Sequence, residues 1–95
     1  MSAPVAIGIA GYGYWGPNLA RNFQSLPGAE LVAVCDSRPD RLARLRKTSP
    51  LVEAYHEFHH MLSDPRITAV VVATPVATHH ALAKAALMAG KHVLV

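Results

Sequence analysis

Short apolar runs alternate along this chain with stretches in which apolar residues recur every three or four positions. Val5 to Ala10, Leu31 to Cys35 and Ala69 to Ala73 are strand-like, and His92 to Val95 begins another strand. Between them, Trp15, Leu19, Phe23 and Leu26 fall on one face of a helix. Leu42 and Leu45 stripe a second helix, and Phe58, Met61 and Leu62 a short third. Leu82, Ala85, Ala86 and Ala89 mark a fourth, and Val52 to Tyr55 adds a short strand in the middle. The punctuation agrees with this division. Pro27-Gly28 stops the first helix. Ser37 with Asp40 three residues on resembles a capping box, and Pro39 suits a first helical turn. Thr78 is placed to cap the last helix, and Gly90 to terminate it. Ala69 to Ala73 is apolar on both faces, as parallel strands covered on both sides are. Right-handed crossovers then predict an α/β domain, a doubly wound parallel sheet with strand order 3-2-1-4-5. At 95 residues, 52% hydrophobic and 16% charged, the chain is one domain and not a disordered segment.

Gly11-Tyr12-Gly13-Tyr14-Trp15-Gly16 reads G-x-G-x-x-G. The pattern alone is weak, but here it directly follows an apolar strand and opens an amphipathic helix, as a dinucleotide-binding loop must. Gly11 allows the tight turn, Gly13 lets backbone approach a pyrophosphate, and Gly16 lets the helix pack closely on the strand. Unpaired N–H groups and the positive end of the helix then face the phosphates. Asp36 is the second match. It stands about 20 residues past the last glycine, at the end of the second strand, where a carboxylate accepts from the adenosine ribose hydroxyls. Its charge repels a 2′-phosphate and so favours NAD over the alternative, NADP. Arg38 stacks on adenine or pairs with a 2′-phosphate. Tyr12 and Tyr14 lie in the loop and flank the cofactor, chiefly through backbone amides. Trp15 is likewise placed in the cofactor loop, but because it begins the apolar stripe its ring is expected in the core.

Other features exclude more than they assign. His56-Glu57-Phe58-His59-His60 formally matches H-E-x-x-H. A zinc helix of that type needs length and a third ligand, and this segment closes at Asp64-Pro65. The six histidines are read as solvated, with no metal site. Cys35 is the single cysteine, too few for a disulfide framework or a Cys-rich zinc site, and points to a reducing, cytoplasmic setting. It lies in an apolar strand and reads as an inert core residue. No apolar run reaches the roughly 18 residues of a membrane span, and Met1-Ser2-Ala3-Pro4 lacks a basic leader. A net charge of +3 gives no case for nucleic acid.

Gly11 to Gly16, Asp36, Ala73-Thr74-Pro75, Thr78-His79 and Ala89-Gly90-Lys91-His92-Val93 together resemble the cofactor domain of the glucose–fructose oxidoreductase/inositol dehydrogenase/MocA family. The resemblance covers essentially the whole chain. Gly13 to Leu19 with Arg21-Asn22-Phe23 is also similar to members acting on nucleotide-activated sugars. The family implies an NAD(P)-dependent oxidoreductase moving a hydride between nicotinamide and a sugar, polyol or nucleotide-sugar, in a homo-oligomeric parent. Thr74 and Pro75 would line the cofactor, with His79 at the start of the following helix. Val76 stands where members often carry Asn. The family's catalytic lysine follows the fifth strand, and its substrate domain follows that. Residues 1–95 hold neither, so no catalytic residue is expected among them. The alternative is a nucleotide-binding or sensing module without catalysis.

Overall fold

β1 (Val5–Ala10) occupies the middle of the sheet because both of its faces are covered. The structure, a computed structural model, describes residues 4–95. β2 (Ala29–Cys35), β3 (Glu53–Tyr55), β4 (Ala69–Val72) and β5 (His92–Leu94) complete a parallel sheet in the order β3-β2-β1-β4-β5. α1 (Gly16–Ser25), α2 (Pro39–Thr48), α3 (Phe58–Leu62) and α4 (Val76–Met88) make the crossovers. This is the expected doubly wound α/β arrangement.

The two faces of the sheet carry separate cores. Ile7, Ile9, Leu31, Val34 and Val71 pack with Ala20 of α1 and with Leu42 and Leu45 of α2. Ala10, Val32, Ala33, Cys35, Val70 and Val72 pack on the other side, with Met61 of α3 and Ala86 of α4. Strand side chains alternate between faces. Val32 and Ala33 break that alternation, because both face α3 and α4. The register between β1 and β2 accounts for it: Ile7 pairs with Leu31 but Gly8 pairs with Ala33, leaving Val32 as an extra residue. The bulge lets β2 present Val34 to one core and Cys35 to the other. Gly8 has its own reason to be small. A Cβ there would stand 3.1 Å from Met61 Sδ and from Ile67 Cδ1. α3 therefore seats directly on β1.

Helix ends differ from the sequence expectation in two places. Arg38 is the N-cap of α2, and no side chain caps it. The Ser37 capping box does not form: Arg38 rather than Ser37 takes the cap position, and the Asp40 carboxylate is held by the Arg38 guanidinium at 3.2 Å. α4 begins at Val76 with Pro75 as its cap, so Thr78 lies in the first turn. Gly90 ends that helix as expected. It has φ +82°, its N–H donates to Leu87 O, and the Lys91 N–H donates to Ala86 O. The left-handed residue thus satisfies two terminal carbonyls. No helix among the described residues is long and apolar enough to cross a membrane.

A buried carboxylate ties β3 to the turn before β4. Asp64 Oδ2 accepts from Tyr55 Oη at 2.8 Å and from Arg66 Nη2 at 2.6 Å. Its Oδ1 accepts from the Arg66 N–H and Nε, each at 3.0 Å. The Arg66 guanidinium holds the carboxyl well below the usual carboxylate range. The folded state therefore takes up this proton less readily than the unfolded chain. The contribution to stability is complete above an unfolded pKa of roughly 4 and is lost as pH falls through the folded value. The urea midpoint is expected to fall as pH drops from about 5 towards about 2. Asp64→Asn should lower the midpoint at neutral pH and flatten that dependence. An Asp64→Asn profile parallel to the wild-type profile would place the acid sensitivity elsewhere.

Candidate dinucleotide site

At the carboxyl ends of the strands the backbones stay joined for one more residue and then part. Gly11 N–H donates to Cys35 O at 2.7 Å, Ala73 N–H to Ala10 O at 2.8 Å, and Asp36 N–H to Tyr55 O at 3.0 Å. Beyond that point β1 leads into α1 on one face and β4 into α4 on the other. The crevice opens where the strand order reverses, which is where ligands bind in open α/β sheets. It forms a cavity of about 1250 Å³. Gly11, Gly13, Tyr14, Trp15, Asp36, Thr74, Pro75 and His79 all line it. Gly16 and Arg38, also expected at the site, do not.

The three loop glycines have different jobs. Gly11 has φ +103°, and a Cβ on it would lie 3.0 Å from the Ala73 carbonyl. A Cβ on Gly16 would lie 2.8 Å from Gly11 O. Both positions are closed by backbone. At Gly13 the nearest neighbour is the flexible end of Arg41, with Nη1 at 3.1 Å. A side chain at Gly13 would therefore press on a guanidinium that can move, with both residues on the cavity wall. α1 starts at Gly16 with no side-chain cap and no acidic residue in its first turn, so its positive end is left for an anion.

Asp36 is buried, yet its carboxylate is not idle. Oδ2 accepts the Tyr12 N–H at 2.8 Å and Oδ1 accepts the Arg38 N–H at 2.9 Å. Arg41 Nη1 stands 3.4 Å from Oδ2. A carboxylate has about four acceptor positions, so room remains for a ribose hydroxyl. The cation beside it is Arg41, which sequence reasoning missed. Arg38 turns its guanidinium to Asp40, with Nε to Oδ1 and Nη2 to Oδ2 both at 3.2 Å. The signal for Arg41 was available, since it sits one turn inside α2 and five residues past Asp36.

The aromatic residues also exchange the expected roles. Tyr12 does not line the cavity. It is buried under the loop, with Arg44 5.7 Å from its ring centroid. Trp15 does not join the core. Its dihedrals are helical and its carbonyl accepts the Leu19 N–H, but as the N-cap of α1 it stands at the crevice, and Leu19 and Phe23 carry the stripe instead. Cys35 is buried as expected; burial, and then the Asp36 charge beside it, pushes its thiol up to about 11.

The opposite wall is a hydrogen-bonded turn. His79 Nε2 lies 2.7 Å from Thr74 O, and a carbonyl only accepts, so Nε2 carries the proton. Thr78 Oγ1 lies 2.7 Å from Pro75 O and 2.6 Å from Thr74 Oγ1. These bonds fix Thr74 and Pro75 at the end of β4. The histidines of the H-E-x-x-H match do not share a helix face, because α3 begins only at Phe58. No group of three or more His, Cys, Asp or Glu among the described residues is arranged to hold a metal.

A Gly13 that backbone does not close, a helix start without a side-chain cap and a carboxylate with a remaining acceptor position fit a dinucleotide. Parallel sheet, glycine loop and acidic residue together define a Rossmann-type NAD-binding domain. The sequence profile of the oxidoreductase family described as having an NAD-binding Rossmann fold, the Gfo/Idh/MocA family, matches residues 5–95, and the chain belongs to that family. It is 38% identical over 96 residues to the uncharacterized oxidoreductase YdgJ of Escherichia coli K12, covering 100% of this chain and 27% of that protein. It is 33% identical over 102 residues to a glycosyl hydrolase family 109 protein of Shewanella amazonensis, covering 98% of this chain and 22% of that one. It superimposes with a TM-score of 0.87 and 32% identity on the Lactobacillus casei scyllo-inositol dehydrogenase crystallised with NAD(H) and scyllo-inositol, over 95% of this chain and 27% of that one. The chain thus spans about a quarter of the length of these relatives.

The glycine geometry separates binding from folding. Gly13→Val should abolish NADH binding by calorimetry while leaving the melting temperature nearly unchanged. Gly16→Ala should lower stability by about 1–3 kcal/mol through overpacking. A Gly13→Val protein with unchanged NADH affinity would contradict the placing of the cofactor against Gly13.

Proposed function

We propose that this domain holds NAD across the crevice for an oxidoreductase acting on a polyhydroxylated ring: a polyol, a sugar or a nucleotide-sugar. The observation that carries the reading is the meeting of the glycine loop, Asp36 and the Thr74–His79 turn on one crevice. Amides of Gly13, Tyr14, Trp15 and Gly16 face the pyrophosphate at the positive end of α1, while Gly11, whose N–H is held by Cys35 O, makes the turn. Asp36 accepts from the adenosine ribose and disfavours a 2′-phosphate, which supports NAD over NADP. Arg38 contributes through its N–H, which orients Asp36. Thr74, Pro75 and His79 wall the nicotinamide half.

Bound NAD supplies the hydride acceptor. Oxidation of an alcohol also requires a group to take the hydroxyl proton and a surface to hold the carbon in place. Thr74, Thr78 and His79 commit hydrogen bonds to one another and to the Pro75 carbonyl. They orient the cofactor, and the proton acceptor and substrate surface lie in the rest of a longer, homo-oligomeric protein. The inositol named for one relative and the glycosyl substrate class named for another support a ring substrate.

Calorimetry with NADH and NADPH tests the cofactor half, and NADH production from inositols, hexoses and UDP-sugars tests the rest. Tighter binding of NADH is expected, with Asp36→Ser shifting preference towards NADPH. The 95-residue chain should bind without turnover, and the full-length protein should turn over a ring substrate. Wild-type preference for NADPH, or turnover by the 95-residue chain itself, would contradict this reading.

A further inference from the structure

Two aromatic rings stand exposed on a loop whose other residues fold tightly onto the sheet. Tyr14 is 86% and Trp15 62% exposed, and their rings meet edge to face with centroids 4.9 Å apart. Leaving an indole in water forgoes the burial that makes tryptophan valuable, unless a bound partner covers it. The position of Trp15 indicates which partner. It lines the same crevice as Thr74, Pro75 and His79.

The crevice has two unlike halves. The end of β2 contributes Asp36 and Arg41, which suit a ribose and phosphate. The end of β4 and the α4 that follows it contribute Pro75, Val76 and Leu82, an apolar surface on the same cavity as Trp15. A dinucleotide spans that point with its adenosine ribose at the acidic residue. Its second ring then falls in the apolar half, beside the indole.

We propose that the Trp15 indole stacks against the nicotinamide ring of the bound cofactor. This rests on the cofactor reading above and assigns a side-chain role to a residue otherwise expected to act through its amide. Tyr14, edge-on to the indole, backs it and restricts its rotation. The oxidised ring is a planar cation, for which an indole face is the best aromatic partner. The reduced ring is neutral and gains stacking alone. Trp15 therefore holds NAD more firmly than NADH and contributes nothing to ADP-ribose, which lacks the ring.

Calorimetric titration of the 95-residue chain with NAD, NADH and ADP-ribose tests this, using wild type, Trp15→Ala and Trp15→Phe. Trp15→Ala should weaken NAD roughly 10-fold and NADH by less, leaving ADP-ribose within about 2-fold. Trp15→Phe should recover most of the loss. Trp15 is the sole tryptophan of the chain, so energy transfer from its emission to bound NADH gives a wild-type readout that needs no variant. Unchanged NAD affinity in Trp15→Ala overturns the proposal. An equal loss for ADP-ribose also overturns it, because that assigns Trp15 to loop structure. Wild-type binding of ADP-ribose with no energy transfer to NADH would count against stacking alone. Failure of wild type to bind even ADP-ribose would bring down the cofactor reading itself.

Discussion

The bond from the Tyr12 N–H to Asp36 Oδ2 holds the loop of one strand to the end of the next. It spans 24 residues of sequence and is buried. Leaving that N–H without a partner would cost about 1–3 kcal/mol. The same carboxylate receives the Arg38 N–H, so it also sets where α2 begins. One side chain thus aligns the glycine loop, the end of β2 and the start of a helix. A ligand reaching Asp36 meets a group already fixed in place, and preorganisation of this kind reduces the ordering cost of binding.

Around that bond the residues divide into those that build the crevice and those that face it. Gly11 and Gly16 are closed by backbone, and Tyr12 fills the space beneath the loop. Gly13, Tyr14 and Trp15 face outward. Across the gap, His79 and Thr78 stiffen the turn that carries Thr74 and Pro75. The walls are rigid because each is tied to its own strand, and the polar and apolar halves of the cavity follow from which strand supplies each wall.

Much of this was legible in the sequence, for identifiable reasons. Strands buried on both sides read as apolar runs, and Ala69 to Ala73 could hardly be anything else. The glycine loop and Asp36 stand in a fixed relation to those strands, so finding the strands located the site. What stayed hidden depended on long side chains and on single-residue shifts. Arg38 and Arg41 are both near Asp36 in sequence, and only their rotamers decide that Arg41 is the neighbour. Trp15 continues the helical period, but it stands at the end of α1 that overhangs the crevice, where no core covers it. The bulge at Val32 sends two successive apolar residues to one face, and in an all-apolar run no periodicity records it.

The central claim is that one preformed crevice, held by Asp36, receives NAD. Amide chemical shifts followed during titration of the isotopically labelled chain with NAD test it most directly. The amides of Gly11 to Gly16 and of Thr74 to His79 should move most, saturating together with one affinity, while β5 stays still. Shifts concentrated at His59 and His60 or along β5, with the glycine loop unmoved, would contradict the account.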